Sequence, residues 1–216
     1  QTGNPSITIA ILDSGVYMQH EDLQTRIWIN PGEIPGNGID DDSNGKIDDV
    51  NGWDFVIDTS LMIGTPGECH SQEDCSIEDN NPSDASGHGT RVTGVAVASI
   101  NNGKGIVGTC PNCKVIPIRT CYLTVSSTTI CLSNDIANSI VYATDIGSNI
   151  LSMSFASPSQ IEVITDTLSY ATSQDKILVA AAGNDGWATL MYPAADTNVL
   201  AVAATDWNDQ RASYSN

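Results

Sequence analysis

Five short apolar runs constrain this chain more than any other feature: SITIAILD at 6–13, KVIPIRTC at 114–121, NILSMSF at 149–155, KILVAAAGN at 176–184 and NVLAVAATD at 198–206. Each is too short for a core helix and too continuously apolar for a strand with one wet face, so each reads as a buried strand. Helical patterns separate them. HGTRVTGVAVAS from His88 reads as a small-residue helix; Ser133 is the expected cap of a second, with Ile136, Ile140 and Val141 on one face. Pro158 and Ser159 are expected to open a third, with Glu162 completing a capping box. Such alternation predicts an α/β fold, a parallel sheet with helices on both faces. Residues 30–86 break the rhythm and read as a long Gly- and Asp-rich insertion, and 216 residues fit one domain.

Charge narrows the function. The net charge is −18, and residues 33–84 hold 14 acidic side chains against one Lys. Such a chain repels polyanions, which argues against nucleic-acid binding. No apolar run approaches the roughly 18 residues that span a bilayer. The first residues lack a basic start followed by an apolar core, so the chain reads as a processed, secreted protein. Six cysteines fall in neighbouring pairs, Cys69/Cys75, Cys110/Cys113 and Cys121/Cys131. They favour local disulfides in an oxidising compartment. The alternative is zinc through Cys110 and Cys113, or through Cys69, His70 and Cys75, although a structural site wants a second knuckle.

In open α/β sheets function gathers at the carboxyl ends of the strands. Asp13, Ser154 and Asn184 fall there, and His88 begins a helix behind Gly87. An Asp that orients a His, with an amide to stabilise an oxyanion, suggests a hydrolase. Singly, each residue also fits a helix cap, a core histidine or a turn.

Together the motifs IAILDSGV, SGHGTRVTG, MSFASP, AAAGNDG, YPA and NDQRASYSN resemble the subtilases, the subtilisin-like serine proteases, in the family's order and from about Ile7 to the last residue. The resemblance implies a three-layer subtilisin-like domain that cleaves polypeptide substrates. It implies His88 as general base and acid, Asp13 as its orienting partner and the Asn184 amide as oxyanion donor. Ser154, Phe155 and Ala156, with Ala181, Ala182 and Gly183, would wall the substrate pocket. A propeptide or protein inhibitor is a partner such a domain can have. Arg91 stands where many subtilases carry a second His, and Ala156 where the substrate strand usually has Gly, whose absence would narrow the pocket entrance.

No Gly-Thr-Ser, the family's nucleophile motif, occurs in the sequence, and Ser213–Asn216 match a region upstream of it. The chain thus reads as the N-terminal part of a catalytic domain. A C-terminal remainder as bound partner, an incomplete sequence and an inactive truncated form are the three explanations. A catalytically dead binding module and a calcium-binding adhesive domain are the competing functions.

Calcium is the expected cofactor. Residues 40–49 read D-x-D-x-N-G-x-x-D-D, oxygen ligands at alternate positions like the opening of a calcium loop, with Asn51 where an EF-hand has its bidentate Glu. The candidate ligands are Asp40, Asp42, Asn44, the Lys46 carbonyl and Asp48 or Asp49, against the alternative of a hydrated Asx turn. A second site follows from the resemblance: Asp22, nine residues after Asp13, with Asn102 and the carbonyls of Ile100, Lys104 and Ile106. The alternative there is a plain Gly/Asn turn.

Overall fold

The computed structural model describes residues 2–57 and 69–216. Its centre is a parallel sheet of six strands: β1 (Thr8–Asp13), β2 (Trp53–Asp54), β3 (Lys114–Arg119), β6 (Ile150–Met153), β7 (Ile177–Ala181) and β8 (Val199–Val202), in the order β2-β3-β1-β6-β7-β8. A separate hairpin joins β4 (Cys121–Leu123) to β5 (Thr129–Cys131). Helices α1 (His88–Val97), α2 (Ser133–Asp145) and α3 (Glu162–Ser173) complete the regular elements among the described residues.

The period of two in β1 sorts its side chains between two cores. Ala10 and Leu12 pack with Ile136, Ile140 and Ala143 of α2 and Leu168 and Ala171 of α3. Ile9 and Ile11 face the other way, toward Val97 of α1, Val16, Leu23 and Val115. The expected three-layer α/β arrangement is therefore present. No helix among the described residues is long and apolar enough to cross a membrane.

Three local expectations change. The stretch 30–86 is not wholly an insertion: Trp53–Asp54 pairs with Ile118 and Arg119 as an edge strand, while 58–68 lie outside the described residues. Ser133 is the first helical residue rather than the cap, which is Leu132. The Ser159–Glu162 capping box is absent, because α3 begins only at Glu162 after Ile161. Ser159 instead belongs to a turn in which its N–H donates to Ser157 Oγ and its carbonyl accepts from that hydroxyl. Pro117 does sit inside β3, where its carbonyl faces Gly52, just before β2 begins. Its missing N–H therefore falls at the sheet edge, where a proline is tolerated.

All three neighbouring cysteine pairs form disulfides. Cys121–Cys131 closes the β4–β5 hairpin at directly paired positions. Cys69–Cys75 closes a loop against Arg119, which is buried at the end of β3 and ion-paired with Asp54 and Glu73.

Candidate active site

Strand β1 ends at Asp13 and α1 starts at His88, and the fold brings the two together with Nδ1 of His88 2.7 Å from Asp13 Oδ1. Asp13 is 4% exposed and His88 51%, so the carboxylate is fixed inside while the imidazole reaches the surface. The Ser14 N–H donates to the same Asp13 oxygen at 2.7 Å. Gly89 permits the approach: a Cβ there would lie 2.2 Å from the Gly15 carbonyl oxygen. The Asp13 contact holds the His88 pKa above its usual 6.5; burial opposes it, and Asp84 supports it against Arg91. With Nδ1 donating to Asp13, Nε2 is the nitrogen left to accept a proton.

Asp13 and His88 line a cavity of about 350 Å³ whose walls include Ser154, Phe155, Ala156 and Ser157, together with Ile161, Ile164 and Leu168. Tyr192 and Pro193, joined by a cis peptide bond, close one side. Ser157 and Tyr192 exchange two backbone hydrogen bonds at 2.8 Å, which fixes that wall. Ala181, Ala182 and Gly183, expected as walls of the substrate pocket, are not among the residues lining this cavity. The Ala182 N–H donates to Val202, its carbonyl accepts from Met191, and the chain that follows forms the wall in its place. Asn184 is exposed beyond β7 and is likewise not among the lining residues. Its loop is tied to Asn216, whose Oδ1 accepts from Asp185 and Trp187 and whose Nδ2 donates to Thr189.

The acidic segment forms a second constellation. Glu33, Asp42 and Asp49 each place a carboxylate oxygen within 4.8 Å of the others. Asp49 is fully buried; burial pushes its pKa up and Asp42 adds to this, while hydrogen bonds from Tyr142 at 2.6 Å, Asn44 and Asn30 oppose it. Three carboxylates this close repel one another unless a proton or cation intervenes. Asp40 is used differently, accepting from the Asn44 and Gly45 N–H groups. Asp48 turns away to accept from Gly36, Asn37 and Gly38. Asn44 Oδ1 accepts from the Lys46 N–H, and the Lys46 ammonium reaches Glu78 at 2.6 Å. Asp22 does meet the 100–106 loop, yet as an acceptor: from Asn102 Nδ2 at 2.6 Å and the Ile106 N–H at 3.1 Å. Lys104 extends to Glu21. Among the described backbone hydrogen bonds none is accepted by the Ile100 carbonyl, and the residue is 40% exposed.

Residues 4–216 match the family model described as Subtilase family. The chain belongs to the subtilases. Among curated subtilase relatives, the thermophilic serine proteinase of Bacillus sp. (strain AK1) is 31% identical over 214 residues, 99% of this chain and 42% of the relative. Thermitase of Thermoactinomyces vulgaris is 32% identical over 207 residues, 96% of this chain and 58% of the relative. The chain spans about half the length of these two relatives. The solved S41 psychrophilic protease superposes with a TM-score of 0.69 at 27% identity, covering 99% of this chain and 59% of that one. A protease structure from Pseudoalteromonas arctica PAMC 21717 shares the fold with a TM-score of 0.73 at 24% identity, covering 98% and 60%.

Three residues of this subtilase's sites escaped sequence reasoning. Glu33 stands alone before the Asp run, and nothing in its local spacing marks it as a neighbour of Asp49. Arg119 ends the apolar run VIPI of β3, and its charge there was the only signal. Asp84 lies four residues before His88, ahead of a helix whose cap position is a glycine with no side chain to offer; that combination could have found it.

Proposed function

We propose that the full-length protein is a secreted, calcium-stabilised serine endopeptidase. The observation that carries this reading is the 2.7 Å contact of His88 Nδ1 with buried Asp13 at the mouth of a cavity bounded by Ser154, Phe155 and Ala156. In the mechanism, His88 Nε2 takes the proton of a serine hydroxyl as its oxygen attacks the scissile carbonyl. It then returns that proton to the leaving amine, and water repeats the cycle on the acyl-enzyme. Asp13 keeps His88 in the useful tautomer and stabilises the imidazolium. The Asn184 amide, free at the exposed end of its loop, donates to the tetrahedral oxyanion.

The nucleophile lies beyond Asn216, since the sequence holds no Gly-Thr-Ser. In support, β8 is a sheet edge whose Leu200 and Val202 are 61% and 50% exposed. A further part of the same domain covers that edge in this reading. The substrate is an extended polypeptide lying along 154–157, and a propeptide or protein inhibitor would occupy the same cleft.

For calcium, Glu33, Asp42 and Asp49 fit as hard oxygen donors, with Asn30 and Asn44 beside them. A bound ion would neutralise their mutual repulsion and stabilise the folded state by mass action. The Asp22 site fits less well, because it offers one carboxylate to the 100–106 loop where the acidic segment brings three together.

The test is fluorophosphonate labelling of the full-length protein followed by mass spectrometry. A single labelled serine beyond residue 216 is expected, with labelling lost in His88→Ala. If no serine reacts in protein that binds peptide normally, the reading fails in favour of an inactive binding module.

A further inference from the structure

We propose that Asp84 is a positioning residue for the His88–Asp13 pair, locking the first turn of α1 to the strand end that carries Asp13. The proposal rests on the peptidase reading of that pair. Helix α1 opens poorly on its own account: its cap residue, Gly87, has φ 80° and no side chain, and no acidic residue occupies the first turn. The first N–H groups of a helix need outside acceptors. Asp84 supplies them from three residues upstream of the cap. Its Oδ1 accepts from the Gly87 N–H at 2.7 Å, and its Oδ2 accepts from the Thr90 N–H at 3.0 Å and the Thr90 hydroxyl at 2.5 Å.

The same carboxylate also reaches across to β1. Ser14, 70 residues earlier, donates its hydroxyl to Asp84 Oδ1 at 2.9 Å, and Ser14 Oγ in turn accepts from the Gly89 N–H at 3.0 Å. Thr90 Oγ1 accepts from the Tyr17 N–H at 2.9 Å, a second tie to the same loop. Ser14 directly follows Asp13, and its N–H holds the Asp13 oxygen that faces His88. Four donors from two chain segments therefore converge on one carboxylate, next to the residue on either side of the catalytic contact. Only an ionised carboxylate has acceptor sites for all four; an amide would turn an NH₂ toward two of them.

The charged groups facing His88 are Asp13 from β1, Asp84 from the preceding loop and Arg91 from its own helix. Among the described residues, the cavity wall adds only Tyr192 as a further titratable group. Replacing Asp84 by Asn removes one negative neighbour and loosens the geometry of another.

The experiment compares Asp84→Asn, Ser14→Ala and Asp13→Asn in the full-length protein. It reads the pH profile of kcat/KM, the KM-against-kcat split and the ring-nitrogen titration of His88. Asp84→Asn is expected to lower kcat about 10- to 100-fold with KM held, the scale of a small misplacement of a catalytic group. It should also move the acid limb and the His88 titration to lower pH. A merely structural cap would lower the melting temperature and leave both limb and titration in place, and that result overturns the proposal. Should Asp84→Asn not fold, Ser14→Ala keeps the charge and Asp84's own bonds to Gly87 and Thr90 while removing the bridge and its bond from the Gly89 N–H. Its kcat is expected to fall with a smaller movement of the limb, and an unchanged kcat overturns the proposal. If Asp13→Asn also leaves the profile and the titration unchanged, the peptidase reading of the pair fails, not Asp84 alone.

Discussion

The sheet end that bears Asp13 and the acidic segment between Asn30 and Phe55 use the same residue type in opposite ways. Asp13 is placed by regular structure: a buried strand delivers it, and a helix brings His88 to meet it. In the acidic segment the aspartates replace regular structure. Asp48 gathers the N–H groups of Gly36, Asn37 and Gly38, Asp40 those of Asn44 and Gly45, and Glu33 those of Asp41, Asp42 and Asp48. Backbone donors that a sheet would satisfy are satisfied there by side chains. A carboxylate on a rigid element can be committed to chemistry, whereas one that holds a loop together is committed to shape.

The sharpest way to break this contrast is to neutralise one aspartate of each kind. If the full-length protein is the proposed peptidase, Asp13→Asn should cut its kcat/KM by about 10⁴-fold, because the imidazole loses its oriented tautomer. Asp48→Asn should leave kcat/KM of the same peptide assay unchanged. Comparable losses in the two variants would mean that the acidic segment shapes the catalytic site after all.

Next in size is Arg119, where the two regions meet. It stands on β3 beside Asp13 and ion-pairs with Asp54 and with Glu73 of the disulfide loop. Arg119→Ala strands two buried carboxylates and should cost about 3–5 kcal/mol in urea unfolding. A loss under about 1 kcal/mol, the level of a surface pair, would show that the two regions are not coupled through it.

Calcium removal is expected to act on the acidic segment alone. At calcium one hundred times the dissociation constant, chelation should remove about 2.7 kcal/mol of stability. Asp49→Asn should abolish that increment, and an equal calcium response in the variant would place the ion elsewhere. Asp48→Asn should cost about 1 kcal/mol by the same unfolding assay, as for other lost side-chain caps.

The pH dependence is the smallest effect in energy and the most diagnostic. Asp13 raises the His88 pKa above 6.5. A base must be neutral, so kcat/KM should fall on the acid side with its midpoint above pH 6.5. For stability the sign is opposite: the protonated pair contributes fully below pH 6.5, and that contribution fades as pH rises through the higher folded value. Proton titration of His88 in Asp13→Asn should show its midpoint move down.

How much of this was legible in the sequence differs between the two regions for the same physical reason. Buried strands and the helix at His88 announce themselves through apolar continuity and period, so the sheet and the residues at its carboxyl ends were readable. Trp53–Asp54 is too short to show any period, and became a strand only because β3 offered it an edge. Ser133 and Ser159 looked like caps by type, but the neighbouring backbone placed the caps one and two residues away. The pairing of Glu33 with Asp49 and the reach of Asp84 to Ser14 are long-range contacts of side chains in loops, and no local pattern encodes them.

The disulfides are all short-range, with separations of 6, 3 and 10 residues. Rings this small have a consequence when the backbone is cut. A backbone cut at any bond between Cys69 and Cys75 leaves both new ends joined through sulfur. The stump carrying Glu73 stays within reach of Arg119, and the same holds for a cut in the exposed turn between β4 and β5. Apart from the one water added by hydrolysis, nicked molecules of this kind stay in one piece until a reductant arrives, so damage would first show on a reducing gel.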